Sequence, residues 1–210
     1  MKKIGVLTSG GDSPGMNACV RAVVRTAVSY DVKVVGFLDG FTGLVHNRTA
    51  ELDSRSVSNI IQLGGSILRA GRCKEFLQPE YRKTAYETAR ELSIEGLIVI
   101  GGNGSFQGAH KLFLEHQLPI VGVPGTIDND VYGSDTIGFD TAINTALSSI
   151  DRIRDTSSSH GMPFFVEVMG REAGFIALES AIAGGAEAVL IPEVLYDLEE
   201  ATRVIKSSHE

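Results

Sequence analysis

Six short apolar runs, rich in Val, Ile and Leu, recur at residues 4–7, 32–38, 97–100, 120–123, 164–168 and 188–191. None alternates cleanly between apolar and polar positions, and most stop at Gly or Pro. That is the pattern of strands buried on both faces of a parallel sheet. Between them lie stretches with helical spacing, at 17–28, 81–92, 105–114, 141–153 and 174–183. The first of these sets Ala18, Ala22 and Val23 on one face. Strands alternating with helices predict an α/β fold with right-handed crossovers.

No Pro-rich linker or low-complexity tract divides the chain. The expected seam is the polar, glycine-containing stretch 129–138, between a strand and the long helix that follows. Many of the 24 glycines stand at the ends of apolar runs, where a residue without Cβ lets the backbone approach a ligand closely. In sheets of this kind ligands bind beyond the carboxyl ends of the strands. Helices that start there offer unpaired N–H groups to anions. "GLIVIGGNGS" (96–105) is one such strand tip and "SGGDSPGMNA" (9–18) another; they are two uses of the same loop physics rather than a repeat.

Composition narrows the classes. A content of 43% hydrophobic and 21% charged residues is ordinary for a soluble globular protein. The net charge of −7 argues against nucleic acid or an anionic membrane as the main partner, while leaving room for a local basic pocket. Cys19 and Cys73 are too few for a disulfide framework and point to a reducing compartment. No apolar run approaches the ~18–20 residues of a membrane span. The opening Met-Lys-Lys turns to glycine too soon for a secretory signal. A cytoplasmic location is expected.

The glycine loops are unusual in what they lack. "SGGDSPGMNA" spaces Gly10 and Gly15 as a Walker loop does, but Met16-Asn17 stands where Lys-Ser/Thr is needed. "GGNGSFQG" has three residues rather than two before its last glycine and misses the dinucleotide fingerprint. Phosphate charge must then be met elsewhere, and "GRCKEF" (71–76) offers Arg72 and Lys74.

"PGTIDND" (124–130) sets the carboxylates of Asp128 and Asp130 on either side of an amide, just after the Thr126 hydroxyl. Two acids forced together raise one pKa, which suits that group to accept a proton; an Asx-rich surface turn is the alternative. "EVMGRE" (167–172) ends a predicted strand in Gly170-Arg171. Its guanidinium is suited to grip phosphoryl oxygens, or else to pair with Glu167 or Glu172. "DTSSSH" (155–160) reads as a hydroxyl-rich loop with His160 structural rather than catalytic. There is no zinc pattern and no Ser-His-Asp spacing. Phosphoryl transfer is the chemistry this inventory serves best.

At these residues the sequence resembles the bacterial ATP-dependent 6-phosphofructokinase family. "GVLTSGGDSPGMNA", "RCKEF", "PGTIDND", "RDTSSSH", "VEVMGR" and "AIAGGAE" occur in the family's order over essentially the whole chain. The resemblance implies transfer of the ATP γ-phosphoryl to the 1-hydroxyl of fructose 6-phosphate, with Mg2+, usually in a homotetramer. It implies two Rossmann-like lobes with mostly parallel sheets flanked by helices. Residues 1–138 would be the ATP-binding lobe and 139–210 the start of the sugar-phosphate lobe. Family members run on beyond Glu210, so an amino-terminal portion with an incomplete second lobe is expected.

Carried onto this sequence, the resemblance implies that Asp128 is the general base and that Asp130 supports magnesium and the reacting phosphates. Thr126 and Arg171 would hold the transferring phosphoryl. Thr126, Ile127 and Asp128 with Met169, Gly170 and Arg171 would line the sugar phosphate. Gly11, Arg72, Cys73, Gly102, Asn103, Gly104 and Ser105 would form the nucleotide site. Arg21, Arg25, Arg154, Gly185 and Glu187 would form a pocket for a phosphorylated effector. On the residues alone, Arg21 and Arg25 lie one helical turn apart, which suits an anion clamp or a solvated face. Pyrophosphate-using members carry an acid at the position of Gly104 and a lysine at that of Gly125, so glycine at both favours ATP.

Three departures qualify the likeness. Asn103 stands where the family has a magnesium-supporting aspartate. An amide oxygen can ligate a hard cation but brings no charge, so weaker metal affinity or slower turnover is expected. Met162 replaces an arginine that reaches a neighbouring subunit's substrate phosphate, a contact worth ~1.5–3 kcal/mol. Ser54 replaces an effector-site arginine, with Arg55 beside it. Asn103 and Met162 raise the alternative of a catalytically weakened or regulatory subunit that still binds nucleotide and sugar phosphate. Met162 also allows a kinase of another sugar phosphate.

Overall fold

The computed structural model describes residues 1–195 and 197–207. Its sheet has five strands: β1 (Lys3–Thr8), β2 (Lys33–Phe37), β3 (Thr49–Leu52), β4 (Leu97–Gly101) and β5 (Ile120–Pro124), ordered β3-β2-β1-β4-β5. All neighbours are parallel except β3, which runs antiparallel to β2.

Helix α1 (Met16–Ser29) carries the chain from β1 to β2, and α4 (Asn103–His116) from β4 to β5. These crossovers leave the central β1–β4 pair in opposite directions, so right-handedness puts their helices on opposite faces of the sheet. Two cores result. Val6, Val34 and Ile100 pack with Met16, Val20 and Val24 of α1. Leu7, Val35 and Val99 pack with Leu44 of α2 (Phe41–Val45), Ala85 and Ala89 of α3 (Pro79–Glu91), and Leu112 of α4. Successive strand residues alternate between the two cores, which is why the runs read as continuously apolar.

Several expectations are corrected. Residues 164–168 and 188–191 pair in no sheet among the described residues, and Phe165 is 81% exposed. A strand needs a neighbour for its ladder of hydrogen bonds, and an apolar run without one remains extended coil. β5 is the open edge of the sheet and leaves Val121 and Gly122 exposed rather than buried on both faces. "DTSSSH" is not a loop but the end of α5 (Phe139–His160). There the Ser159 hydroxyl donates back to the Asp155 carbonyl at 2.8 Å, so the helix itself satisfies it.

In α1 the buried face is Met16, Asn17, Val20, Val24 and Ala27, while Ala22 is exposed. The larger side chains claim the core because they remove more apolar area from water. Unanticipated elements are α2, β3 and α7 (Leu198–Ser207). Residues 129–138 form the irregular stretch expected before α5, and α6 (Phe175–Gly184) packs against that helix. Of the segment 139–210, Tyr196 and residues 208–210 lie outside the described residues. Among those described, no helix is long and apolar enough to cross a membrane.

Candidate active site

Since the chain leaves β1 and β4 toward opposite faces, the turns that follow them part and leave a crevice at the strand ends. The Ser9 N–H donates to the Ile100 carbonyl at 2.9 Å just before they separate. A Cβ at Gly101 would stand 2.6 Å from the Ser9 carbonyl oxygen and 2.7 Å from Ser105 Oγ. Only glycine lets these segments meet. Gly11 and Gly104 are the opposite case: nothing lies within 4 Å of where a Cβ would be. At the start of α4 the N–H groups of Asn103, Gly104 and Ser105 precede the first helical bond, which Phe106 makes to Gly102 at 3.1 Å. Bare peptide donors at a helix N-terminus suit an anion.

Buried polar groups bring the basic loop to this crevice. Thr8 Oγ1 donates to the Arg69 carbonyl at 2.7 Å. Asn17, 1% exposed, donates to the Leu63 carbonyl at 3.1 Å and accepts from the Ile67 N–H at 2.7 Å. The Gly10 N–H reaches the Gly71 carbonyl at 3.2 Å. These bonds set Arg72 and Cys73 beside the turn of β1. Sequence reasoning missed this role of Asn17; the available signal was an amide on the helix face that also carries Val20 and Val24.

The 3₁₀ turn Glu75–Leu77 that follows is held by Arg82. Its guanidinium donates to the Phe76 and Leu77 carbonyls at 2.9 and 2.8 Å, and grips Glu115 bidentately at 2.7 and 2.6 Å. Phe76 stacks on Phe41 with ring centroids 4.0 Å apart.

The acidic loop continues the β4–β5 pairing beyond the sheet, the Gly125 N–H donating to the Gly101 carbonyl at 2.9 Å. Asn129, at φ 51°, accepts from the Thr136 N–H at 3.2 Å and its hydroxyl at 3.1 Å. Asn129 thus ties the loop to Thr136, seven residues on, rather than closing an Asx turn on its own backbone, and neither neighbouring acid shares that contact. The Asn103 side-chain amide donates to both the carbonyl and Oδ2 of Asp130, each at 3.0 Å. The Asp128 N–H donates to Thr126 Oγ1 at 3.2 Å.

Burial raises the Asp128 carboxyl above its ordinary range, and the Asp130 charge raises it further. The guanidiniums of Arg171 and Arg72 pull the other way. Four groups from three separated segments of the chain thus share one electrostatic neighbourhood, with Asp128 disposed to take a proton.

Arg171 does not stand on a strand tip. It lies in a turn where Gly170 has φ 149°, Arg171 has φ 58°, and the Ala173 N–H donates to the Gly170 carbonyl at 2.9 Å. A Cβ at 170 would meet the Ala173 carbonyl oxygen at 2.4 Å. No ion pair joins Arg171 to Glu167 or Glu172 among the described residues. Met169 and Met162 are exposed.

The five expected effector residues fall into two groups. Arg21 donates to the Val57 carbonyl at 2.5 Å, with Arg25 exposed on the next turn. Arg154 donates to the Gly184 and Gly185 carbonyls at the end of α6, and Glu187 is exposed nearby in the chain. No hydrogen bond or ion pair connects the two groups among the described residues.

Comparison with known proteins identifies the relatives of this chain. The phosphofructokinase family model matches residues 3–210. An ATP-dependent 6-phosphofructokinase of Cytophaga hutchinsonii is 53% identical over 217 residues, covering 100% of this chain and 66% of that protein. The Bacillus subtilis enzyme of the same name is 56% identical over 211 residues, with the same coverages. The chain therefore spans about two thirds of the length of these relatives. Phosphofructokinase from Saccharomyces cerevisiae superposes with a TM-score of 0.89 at 36% identity, covering 99% of this chain and 32% of that one. A sequence match running from β1 onward, on a sheet shared in space with these proteins, means that the chain belongs to the phosphofructokinase family.

Proposed function

We propose that the protein transfers the γ-phosphoryl group of ATP to the 1-hydroxyl of fructose 6-phosphate, giving fructose 1,6-bisphosphate in glycolysis. What supports this reading most is the grouping of Asp128 with Asp130, Arg72 and Arg171 at the strand ends. The sugar oxygen attacks the γ-phosphorus, its proton passes to the Asp128 carboxylate, and the bond to ADP breaks. Arg72, Arg171 and the Thr126 hydroxyl stabilise the charge on the transferring group. Gly11, Cys73, Gly102, Gly104 and Ser105 receive the nucleotide, and Ile127, Met169 and Gly170 the sugar phosphate. Retention of the base and both arginines favours turnover over a purely regulatory subunit.

The donor is ATP rather than pyrophosphate. A Cβ at Gly125 would already lie 3.0 Å from Ile100 Cγ2, leaving little room for the lysine a pyrophosphate enzyme carries there. Magnesium suits this donor set when it arrives on the nucleotide, because it keeps its waters and phosphate oxygens and asks for only one or two carboxylates. Asp130 is the residue that would hold it, and when bound the ion neutralises phosphate charge.

On the same reading, residues 1–138 form the nucleotide lobe and 139–210 begin the sugar-phosphate lobe. The assembly is a homotetramer in the cytoplasm. A phosphorylated effector binds at Arg21, Arg25, Arg154, Gly185 and Glu187, and has to compete with the α6 carbonyls that Arg154 holds. The test is a coupled assay of ADP release with ATP, a panel of sugar phosphates and titrated Mg2+. Release that does not depend on fructose 6-phosphate, or prefers another sugar phosphate, would overturn the assignment.

A further inference from the structure

We propose that Asn103 does the work of a cation. Its amide closes the joint between α4 and the acidic loop, so the nucleotide-free protein needs and holds no divalent metal there. The inference rests on the phosphoryl-transfer reading of this crevice and concerns what the site does before substrate arrives.

Both partners of the Asn103 amide, the Asp130 carbonyl and Asp130 Oδ2, have lone pairs and no proton. The orientation of the amide is therefore fixed: its NH2 end faces Asp130. Turned over, Oδ1 would stand against two acceptors. The one side-chain atom of Asn103 able to ligate a hard cation is thus directed away from the carboxylate that would share it. Each of the two amide hydrogens has its own acceptor at 3.0 Å.

The joint is well placed to matter. Asn103 is the first residue of α4, so its backbone is fixed by the helix. The Gly125–Gly101 bond ends the β4–β5 ladder, and the Asn103–Asp130 contact is the next link between the same two segments. It holds both the main chain and the carboxylate of Asp130, on the loop that carries the proposed base.

An aspartate at 103 would reverse this. Its carboxylate would face a carbonyl and a second carboxylate with no proton among them, and such a joint closes only around a cation or a proton. With asparagine it closes unaided. The remaining anionic groups at this point are Asp128 and the other oxygen of Asp130, and no cluster of three or more His, Cys, Asp or Glu able to hold a metal occurs among the described residues. A divalent ion then binds here only with phosphate oxygens in its shell.

The test uses Mn2+ alone as probe on nucleotide-free protein, comparing the parent with Asn103→Asp and Asn103→Ala. Bound Mn2+ is read by electron paramagnetic resonance, and stability by melting in EDTA and in Mn2+. The parent should take up no Mn2+ below about 1 mM and melt at the same temperature in both. Asn103→Asp should bind Mn2+ at least about tenfold more tightly, melt lower in EDTA, and recover with Mn2+. Asn103→Ala should melt lower without recovery. Micromolar Mn2+ binding by the parent would overturn the proposal, as would an Asn103→Asp protein indifferent to Mn2+. A failed kinase assay would instead strike the function and leave these metal-free measurements standing.

Discussion

Thr126 and Asp128 are tied by a 3.2 Å bond in which the Asp128 N–H donates to the Thr126 hydroxyl. The bond anchors the backbone of the proposed base four residues past the point where β5 ends. The carboxyl is raised by burial first and by Asp130 second. A carboxyl raised in the folded state contributes stability that is present at low pH and lost as pH rises through its folded pKa.

Replacing Asp128 by Asn therefore has two expected effects of opposite benefit. Turnover should fall at least ~10²-fold, because no acceptor for the hydroxyl proton remains. The melting temperature at pH 8 should rise above the parent's, and the gap should close on acidification. An unchanged rate removes the base role; a lower melting temperature at pH 8 contradicts the burial argument.

The arginines should set the acidic limb of the pH–rate profile. Arg171 and Arg72 hold the Asp128 carboxyl down, so Arg171→Ala should move that limb to higher pH, besides lowering the rate. Asp130→Asn removes a like charge and should move it to lower pH. Profiles of kcat/KM that shift in the same direction for both variants would exclude the proposed neighbourhood.

Two glycines in one turn should respond differently to a methyl group. Gly101→Ala drives a Cβ into the Ser9 carbonyl and should cost about 1–3 kcal/mol in urea unfolding. Gly104→Ala meets nothing within 4 Å, and as a helix residue should be neutral or stabilising by up to about 1 kcal/mol. Its effect should instead fall on ATP affinity. Unaltered ATP binding by Gly104→Ala would remove this turn from the phosphate site.

Arg82 is 3% exposed and supplies four of the contacts that hold the 3₁₀ turn and Glu115. Arg82→Met leaves two carbonyls and a carboxylate without it and should cost about 3 kcal/mol. Arg82 holds the Glu115 carboxyl below its ordinary range. The pair's contribution is thus present above the unfolded carboxyl pKa and lost as pH falls through the folded one. Chemical denaturation of parent and Glu115→Gln at pH 7 and at pH 3 should show a gap that narrows in acid.

Much of the architecture was legible in the chain. The runs at 4–7, 32–38 and 97–100 are strands because Val, Ile and Leu on both faces can be hidden only between two helical layers. The same pattern failed at 164–168, since local composition records a preference for burial and not whether a neighbouring strand exists. The four-residue β3 lacked the length for any periodicity to register.

The site divides in the same way. From the sequence alone came the glycine turns, the two acids after Thr126 and the arginines at 72 and 171, since their residue types limit the chemistry available. Only the fold decided that Asp128 feels Asp130, Arg72 and Arg171 together, that Arg171 sits in a turn, and that Asn103 offers Asp130 its nitrogen. The reason is physical: residue type is a property of one position, whereas a proton affinity or an amide's orientation is set by the charges and lone pairs that distant segments bring within a few ångströms.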